Sequence, residues 1–170
     1  QDMPPDASMT QMLTAAGERH GIGPADMITA ARIESSFNPQ ARNGRHQGLF
    51  QMSPAFAKEW GVQDRNSPVQ AAEGAARSFS AAKDRMLSQT GVGASMGDVY
   101  MAHQQGPVGA RALMQAPQDA RAMDVRPRSA IASNVPSGVR PEDLTVEQFR
   151  DLFGRKFRSQ QMARMLGGGF

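Results

Sequence analysis

The sequence predicts an all-α fold. Apolar residues recur at steps of three and four in segment after segment, and most of those segments open on a capping residue or on proline at the first helical position. No stretch sustains the two-residue alternation of a half-buried strand, and no internal repeat is visible.

Residues 1–7, broken by Pro4, Pro5 and Asp6, read as an arm. Ser8-Met9-Thr10-Gln11 has the spacing of a capping box; Met9, Met12, Leu13 and Ala16 continue at helical spacing to a C-terminal cap at Gly21. Pro24 suits the first position of a second helix, with Asp26 in its favourable first turn, and Asn38-Pro39 is its latest possible end. Ser53-Pro54 opens a short third helix that stops at Gly61. Ser67-Pro68 opens the longest one, with Val69, Ala72, Ala76, Phe79 and Met86 as its apolar stripe, broken by Lys83, up to Gly91. Ser95 and Asp98 cap a helix through Tyr100 and His103 that is interrupted at Gly106-Pro107, resumes from Val108 to Met114, and ends before Pro117. Prolines between Pro117 and Pro141 argue for irregular chain with one short helix near 119–123. Thr145 to Gln148 is a last capping box, and Phe149, Leu152, Phe153 and Phe157 extend an amphipathic helix as far as Leu166. We therefore expect one domain over 8–166. Gln1 in place of Met reads as the mark of a processed product or of a piece excised from a longer chain, and the glycines at 167–169 as a cut at a hinge, the end at 167–170 being linker.

Composition narrows the function. Hydrophobic content of 39% with 21% charged residues fits a chain of 170 residues that buries a real core, not a disordered one. No run approaches the roughly 18 apolar residues of a membrane span, and no basic-then-apolar secretory leader is visible. The absence of cysteine excludes disulfides and thiolate metal sites, and His20, His46 and His103 are too scattered for a metal pair, so neither metal nor cofactor is expected. Twelve methionines against one tyrosine and one tryptophan predict a core of thioethers, Phe and Leu. A net charge of +3 fits a solvated surface or attraction to a polyanion. We read the basic C-terminal helix (Arg150, Arg155, Lys156, Arg158 and Arg164, against Asp151) as a solvated face.

The stretch from Ala31 to Pro54 concentrates the chemistry. With Met27 at zero and about 100° per residue, Ala30 falls near about −60°, Ala31 near about 40° and Glu34 near about −20°. Glu34 is thereby placed on the small apolar face, at the negative end of the helix dipole. Both effects raise a carboxyl's pKa, as a general acid near neutral pH requires. The alternative is a glutamate that only accepts structural hydrogen bonds. No Asp or Glu occurs between Ser35 and Lys58, and the loop there carries Arg42, Arg45 and His46. The usual pair of glycosidase carboxylates is therefore not evident, unless a later acid such as Asp98 folds back. One carboxylate assisted by a nucleophile from the substrate fits better.

Three motifs in order carry a resemblance. Glu34-Ser35 with Phe37-Asn38-Pro39-Gln40-Ala41, then Gly48-Leu49-Phe50-Gln51-Met52-Ser53-Pro54, then Tyr100-Met101-Ala102-His103-Gln104-Gln105-Gly106-Pro107 resemble the lysozyme-like lytic transglycosylases of peptidoglycan, a family with many phage tail and virion members. The resemblance covers about 9–115, and its first two motifs at their mutual spacing are the specific part. It implies an all-α, lysozyme-like domain of about six to eight helices with a groove at the catalytic glutamate.

It also implies that Glu34 protonates the oxygen between N-acetylmuramic acid and N-acetylglucosamine, then takes the proton from the muramoyl C6 hydroxyl as that oxygen attacks the anomeric carbon. A 1,6-anhydromuramoyl end results. Ser35, Gln51, Tyr100, His103 and Gln104 are implied substrate-binding residues, with Phe50 and Met52 as apolar walls or, equally, as plain core. His103 stands where the family has tyrosine, and Gln104 where it has asparagine. A histidine titrates near pH 6.5, so activity is expected to fall below about pH 6 partly through His103. The implied partners are peptidoglycan strands and the remainder of a larger virion or secretion protein. The implied place of action is the periplasm or cell wall, virion-associated or exported. Two readings compete: a muramidase using water on the same bond, and a non-catalytic lysozyme-like module. A basic nucleic-acid binder has no aromatic-interleaved basic stretch to support it.

Overall fold

A computed structural model describes residues 6–159, which fall into two compact units, 6–81 and 82–159. Among these residues are eight α-helices, one 3-10 turn and a two-stranded hairpin, so the expected all-α class holds. The residues 1–5 of the arm, Arg164, any helix beyond Ser159 and the glycines at 167–169 lie outside the described residues.

The first unit begins with α1 (Ala7–His20). Its cap is Asp6, whose carboxylate accepts from Met9 N at 2.7 Å, rather than Ser8. Aspartate caps as well as serine does and adds a charge that favours the dipole's positive end, so the helix gains its first residues there. Gly21 closes it as expected. The second helix, α2 (Pro24–Ser35), has Pro24 in its first turn and packs on α1. Met27, Ala30 and Ala31 are fully buried, as the helical wheel requires. Next come β1 (Arg42–Asn43) and β2 (His46–Gln47), paired antiparallel with Asn43 opposite His46. This hairpin replaces the expected irregular loop. Its two-residue turn starts at Gly44 with φ 61°, the position a type II′ turn reserves for glycine.

Short α3 (Pro54–Glu59) is capped by Ser53, and long α4 (Pro68–Thr90) starts where Gln70 N donates to Ser67 Oγ. Val69 is 56% exposed, contrary to the expected stripe. The first turn of α4 stands clear of the core, and the buried face begins at Ala71 and Ala72 and runs through Ala75, Ala76 and Phe79. Leu13, Met27, Leu49, Phe50 and Met52 complete this core.

Glu73 on α4 joins Arg19 and His20 at the end of α1: Arg19 Nε donates to it at 2.6 Å, and His20 Nε2 lies 2.9 Å from its other oxygen. Burial pushes the Glu73 carboxyl up, but the bonds and charges of Arg19 and His20 outweigh this and hold it below the ordinary glutamate value. The folded state then binds fewer protons than the unfolded one. The stabilisation is present above the unfolded pKa and is lost as pH falls through the lower folded value. Glu73→Gln is therefore expected to cost on the order of 0.5–1 kcal/mol at neutral pH. That difference should vanish in acid-titrated thermal melts.

In the second unit, α5 (Met96–Gln115) opens on the expected capping box between Ser95 and Asp98 and breaks at Gly106, whose φ of 76° and ψ of 162° are not helical. It packs against α8 (Val146–Ser159). The two helices cross at Gly97 and Gly154, where a Cβ on Gly97 would come within 2.7 Å of Gly154 N. Tyr100, Met101, Leu113, Phe149, Phe153 and Phe157 fill this core, with the Phe149 and Phe153 rings 5.4 Å apart.

The segment expected to be mostly irregular holds two short helices, α6 (Ala122–Val125) and α7 (Arg128–Ala132). Backbone bonds from Ala122 N to Leu144 O (2.9 Å) and from Val146 N to Ala120 O (2.8 Å) tie its ends together. The Thr145–Gln148 capping box forms in both directions, at 3.0 and 3.1 Å.

The basic face of α8 is not wholly solvated. Lys156 is buried, donates to Asn134 O and lies over the Phe153 ring at 5.7 Å; burial holds its ammonium below the ordinary lysine value. Arg150 Nε and Nη2 each donate to Asp98 at 3.0 Å, and Nη1 donates to Gln118 at 2.9 Å. Arg155 and Arg158 are exposed. With side chains only 17% and 6% exposed, the Arg150–Asp98 pair is a buried one. Arg150→Ala would strand the Asp98 charge, and a loss of about 3 kcal/mol in denaturant titration is expected.

Candidate active site

Glu34 sits in the last turn of α2, half-buried on the face that carries Met27, Ala30 and Ala31. The chain must turn sharply immediately afterwards. Ser36 and Phe37 both take left-handed backbone (φ 49° and 64°), and Asn38 turns the chain again by accepting from Gln40 N at 2.9 Å. Two consecutive non-glycine residues in this region store about 1–3 kcal/mol each, strain that persists only where surrounding structure enforces it.

The enforcement is visible. Ser35 Oγ donates to Leu49 O at 2.7 Å and lies 3.1 Å from Ala31 O, which ties the helix end bearing Glu34 to the Gly48–Met52 loop. That loop is closed on itself. Gln47 and Met52 exchange backbone bonds of 3.1 and 2.9 Å, and Gly48 N donates to Ala41 O at 2.8 Å. Gln51, 3% exposed and itself left-handed at φ 48°, donates its side-chain N–H₂ to Ala41 O (3.0 Å) and Gly48 O (2.9 Å). Two carbonyl acceptors fix which end of that amide is nitrogen. Oε1 accepts no bond from the described residues. Phe50 and Met52 are fully buried, with Phe50 edge-on to Phe79 at 6.2 Å. Their visible work is packing beneath the loop.

Arg65 was not singled out by sequence reasoning, although it clamps this loop from outside. Its Nη1 donates to Arg45 O at 2.7 Å and Met52 O at 3.1 Å, and its own carbonyl sits where a Cβ on Gly48 would be. Asn66 adds a bond to Gln40 Oε1 at 2.8 Å. The only sequence signal for this clamp was the glycine itself, whose φ of 88° few other residues tolerate.

The remaining candidates belong to the second unit. Tyr100 is fully buried, its ring 5.2 Å from Phe157. His103 is exposed and Gln104 half-exposed on α5, just before the Gly106 break. Gln105, the next residue, is buried and structural: it donates to Ala130 O at 2.8 Å and accepts from Arg126 Nε at 3.1 Å. Asp98, the acid considered as a second carboxylate, is fully engaged. One oxygen accepts from Arg150 and the other from Arg150, Ser95 N and Ser95 Oγ. Its role is to cap α5 and anchor α8. Among the described residues no group of His, Asp and Glu could hold a metal ion, and no helix is long and apolar enough to cross a membrane.

The Transglycosylase SLT domain family matches the chain over residues 11–123, from α1 into α6. Among curated proteins, none matches it significantly.

Proposed function

The chain belongs to the transglycosylase SLT domain family, whose members act on peptidoglycan, and we propose that it cleaves the bond between N-acetylmuramic acid and N-acetylglucosamine without water, with Glu34 as the single acid/base. The observation that supports this most is the tie from Ser35 Oγ to Leu49 O. It ties the helix end that bears half-buried Glu34 to the Gly48–Met52 loop, inside the span that matches the family.

The steps balance with one carboxyl group. Protonated Glu34 delivers its proton to the glycosidic oxygen as the C1–O bond breaks. Its carboxylate then accepts the C6 hydroxyl proton while that oxygen bonds to C1, which closes the 1,6-anhydro ring and returns Glu34 to its starting form. Gln51 Oε1 is the acceptor proposed for an N-acetyl N–H, held in place by the two bonds its nitrogen makes. Ser35 acts as a positioning residue, and Phe50 and Met52 support the loop from the core. Tyr100, His103 and Gln104 are proposed to contribute on the strength of the third motif. His103→Phe is expected to flatten the acid limb of the pH–rate profile, and an unchanged limb would remove His103 from the mechanism.

Mass spectrometry of digested peptidoglycan tests the proposal. Anhydro ends, lighter than reducing ends by one water, support it; reducing ends would assign a hydrolytic muramidase.

A further inference from the structure

Beside the Gly48–Met52 loop, α3 and the segment after it enclose an open cleft of about 480 Å³. Pro54 and the buried Ala57 and Val62 give it an apolar lining. Lys58 and Arg65 line it as well, and no acidic residue does among the described ones. Lys58 is exposed, and no described acceptor engages its ammonium. Arg65 spends only Nη1, on the carbonyls of Arg45 and Met52. Its Nε–Nη2 edge, the side that grips a carboxylate with two parallel bonds, is unused among the described residues. The nearby acids are directed elsewhere or lie outside the lining: Asp64 accepts from Asn66 N at 2.9 Å, and Glu59 is exposed at the end of α3.

We propose that this cleft receives a carboxylate of the peptidoglycan peptide stem, held between Lys58 and the Nε–Nη2 edge of Arg65, with alanyl methyl groups against Ala57 and Val62. This rests on the reading of the chain as a peptidoglycan-cleaving enzyme. The glycan itself offers no anion once its lactyl groups are amide-linked to stems, whereas each stem brings free carboxylates and small apolar side chains together. Inorganic phosphate would satisfy the two cations but leave the apolar lining unused. One guanidinium serves both tasks. A stem seated on one edge of Arg65 fixes the other edge, which carries the loop bearing Gln51, so stem binding and groove rigidity are coupled.

The sole tryptophan, Trp60, lies in the chain between the lining residues Lys58 and Gly61, its ring tilted on Phe56 at 6.2 Å. Its fluorescence therefore reports occupancy. The full chain carrying Glu34→Gln, which cannot turn over, is titrated with a soluble stem tetrapeptide, with its fully amidated form, and with inorganic phosphate. The expected result is a saturable change with the tetrapeptide, at least about tenfold weaker for the amidated form and about tenfold or more weaker in Lys58→Glu and Arg65→Lys. Arg65→Lys keeps one donor for the loop carbonyls, and circular dichroism verifies that each variant folds. No saturable change, equal affinity for the amidated peptide, full affinity in Lys58→Glu, or phosphate binding as tightly as the peptide would each overturn the proposal. The glycosidic reading fails separately, through the digestion products, whatever this titration shows.

Discussion

Glu34→Gln is expected to lower the rate of peptidoglycan cleavage by at least about 10³-fold while the protein keeps its far-ultraviolet spectrum. General acid or base catalysis contributes about 10²–10⁴-fold for one proton transfer, and here a single carboxyl carries both transfers in turn. The amide is isosteric with the protonated acid, so packing against Met27, Ala30 and Ala31 is preserved. It has no acidic proton to give and accepts none. No other described acid stands ready in its own unit's loop, because the segment from Ser35 to Lys58 has none, and the later candidate Asp98 is committed to Arg150. Residual activity within about tenfold of wild type would mean that the chemistry resides elsewhere.

Gly48→Ala is expected to cost about 2–5 kcal/mol and most of the activity, since it adds backbone strain to overpacking. The new Cβ would lie 1.8 Å from Arg65 O and 2.9 Å from Arg65 C, both main-chain atoms that no rotamer change can move aside. Relief requires the loop to shift, which breaks the bond from Gly48 N to Ala41 O and detaches Gly48 O from Gln51. Gly44→Ala supplies the control. Gly44 also has positive φ, but nothing lies within 4 Å of its would-be Cβ. Only the strain of about 1–2 kcal/mol applies there. Urea titrations should separate the two variants, and an equal loss at both would show that Arg65 does not confine the loop.

The capped helices were legible because their signals are local. The cap at Gly21, the Ser53 cap and the Ser95–Asp98 box each satisfy backbone groups within a few residues of themselves, and Pro24 in the first turn of α2 has no N–H to leave unpaired. What escaped the sequence depends on distant partners or on competing local choices. Asp6 outcompeted Ser8 for the first cap, and of the two short helices between Pro117 and Pro141 only the one near 119–123 was expected, its start being held by the bond from Ala122 N to Leu144 O. The basic stripe of the last helix looked solvated until Asp98 and Asn134, distant in sequence, came to meet Arg150 and Lys156.

The candidate site divides in the same way. The position of Glu34 on an apolar helix face followed from periodicity, and Gly44 ahead of Arg45, glycine at the first place of a two-residue loop, was the local signal of the hairpin. The burial of Phe50 and Met52 could not be distinguished from a groove wall by residue type alone. Nothing in the local pattern around Arg65 announced that it would hold two carbonyls of a loop more than ten residues upstream.

The most direct test of Glu34 as sole acid and base, with the substrate's own C6 hydroxyl as nucleophile, is digestion of peptidoglycan in water labelled with heavy oxygen, followed by mass spectrometry of the muropeptides. The expected result is anhydromuramoyl ends carrying no label, formed by wild type and absent with Glu34→Gln. Reducing ends carrying one heavy oxygen would contradict it, because the oxygen at the anomeric carbon would then have come from water.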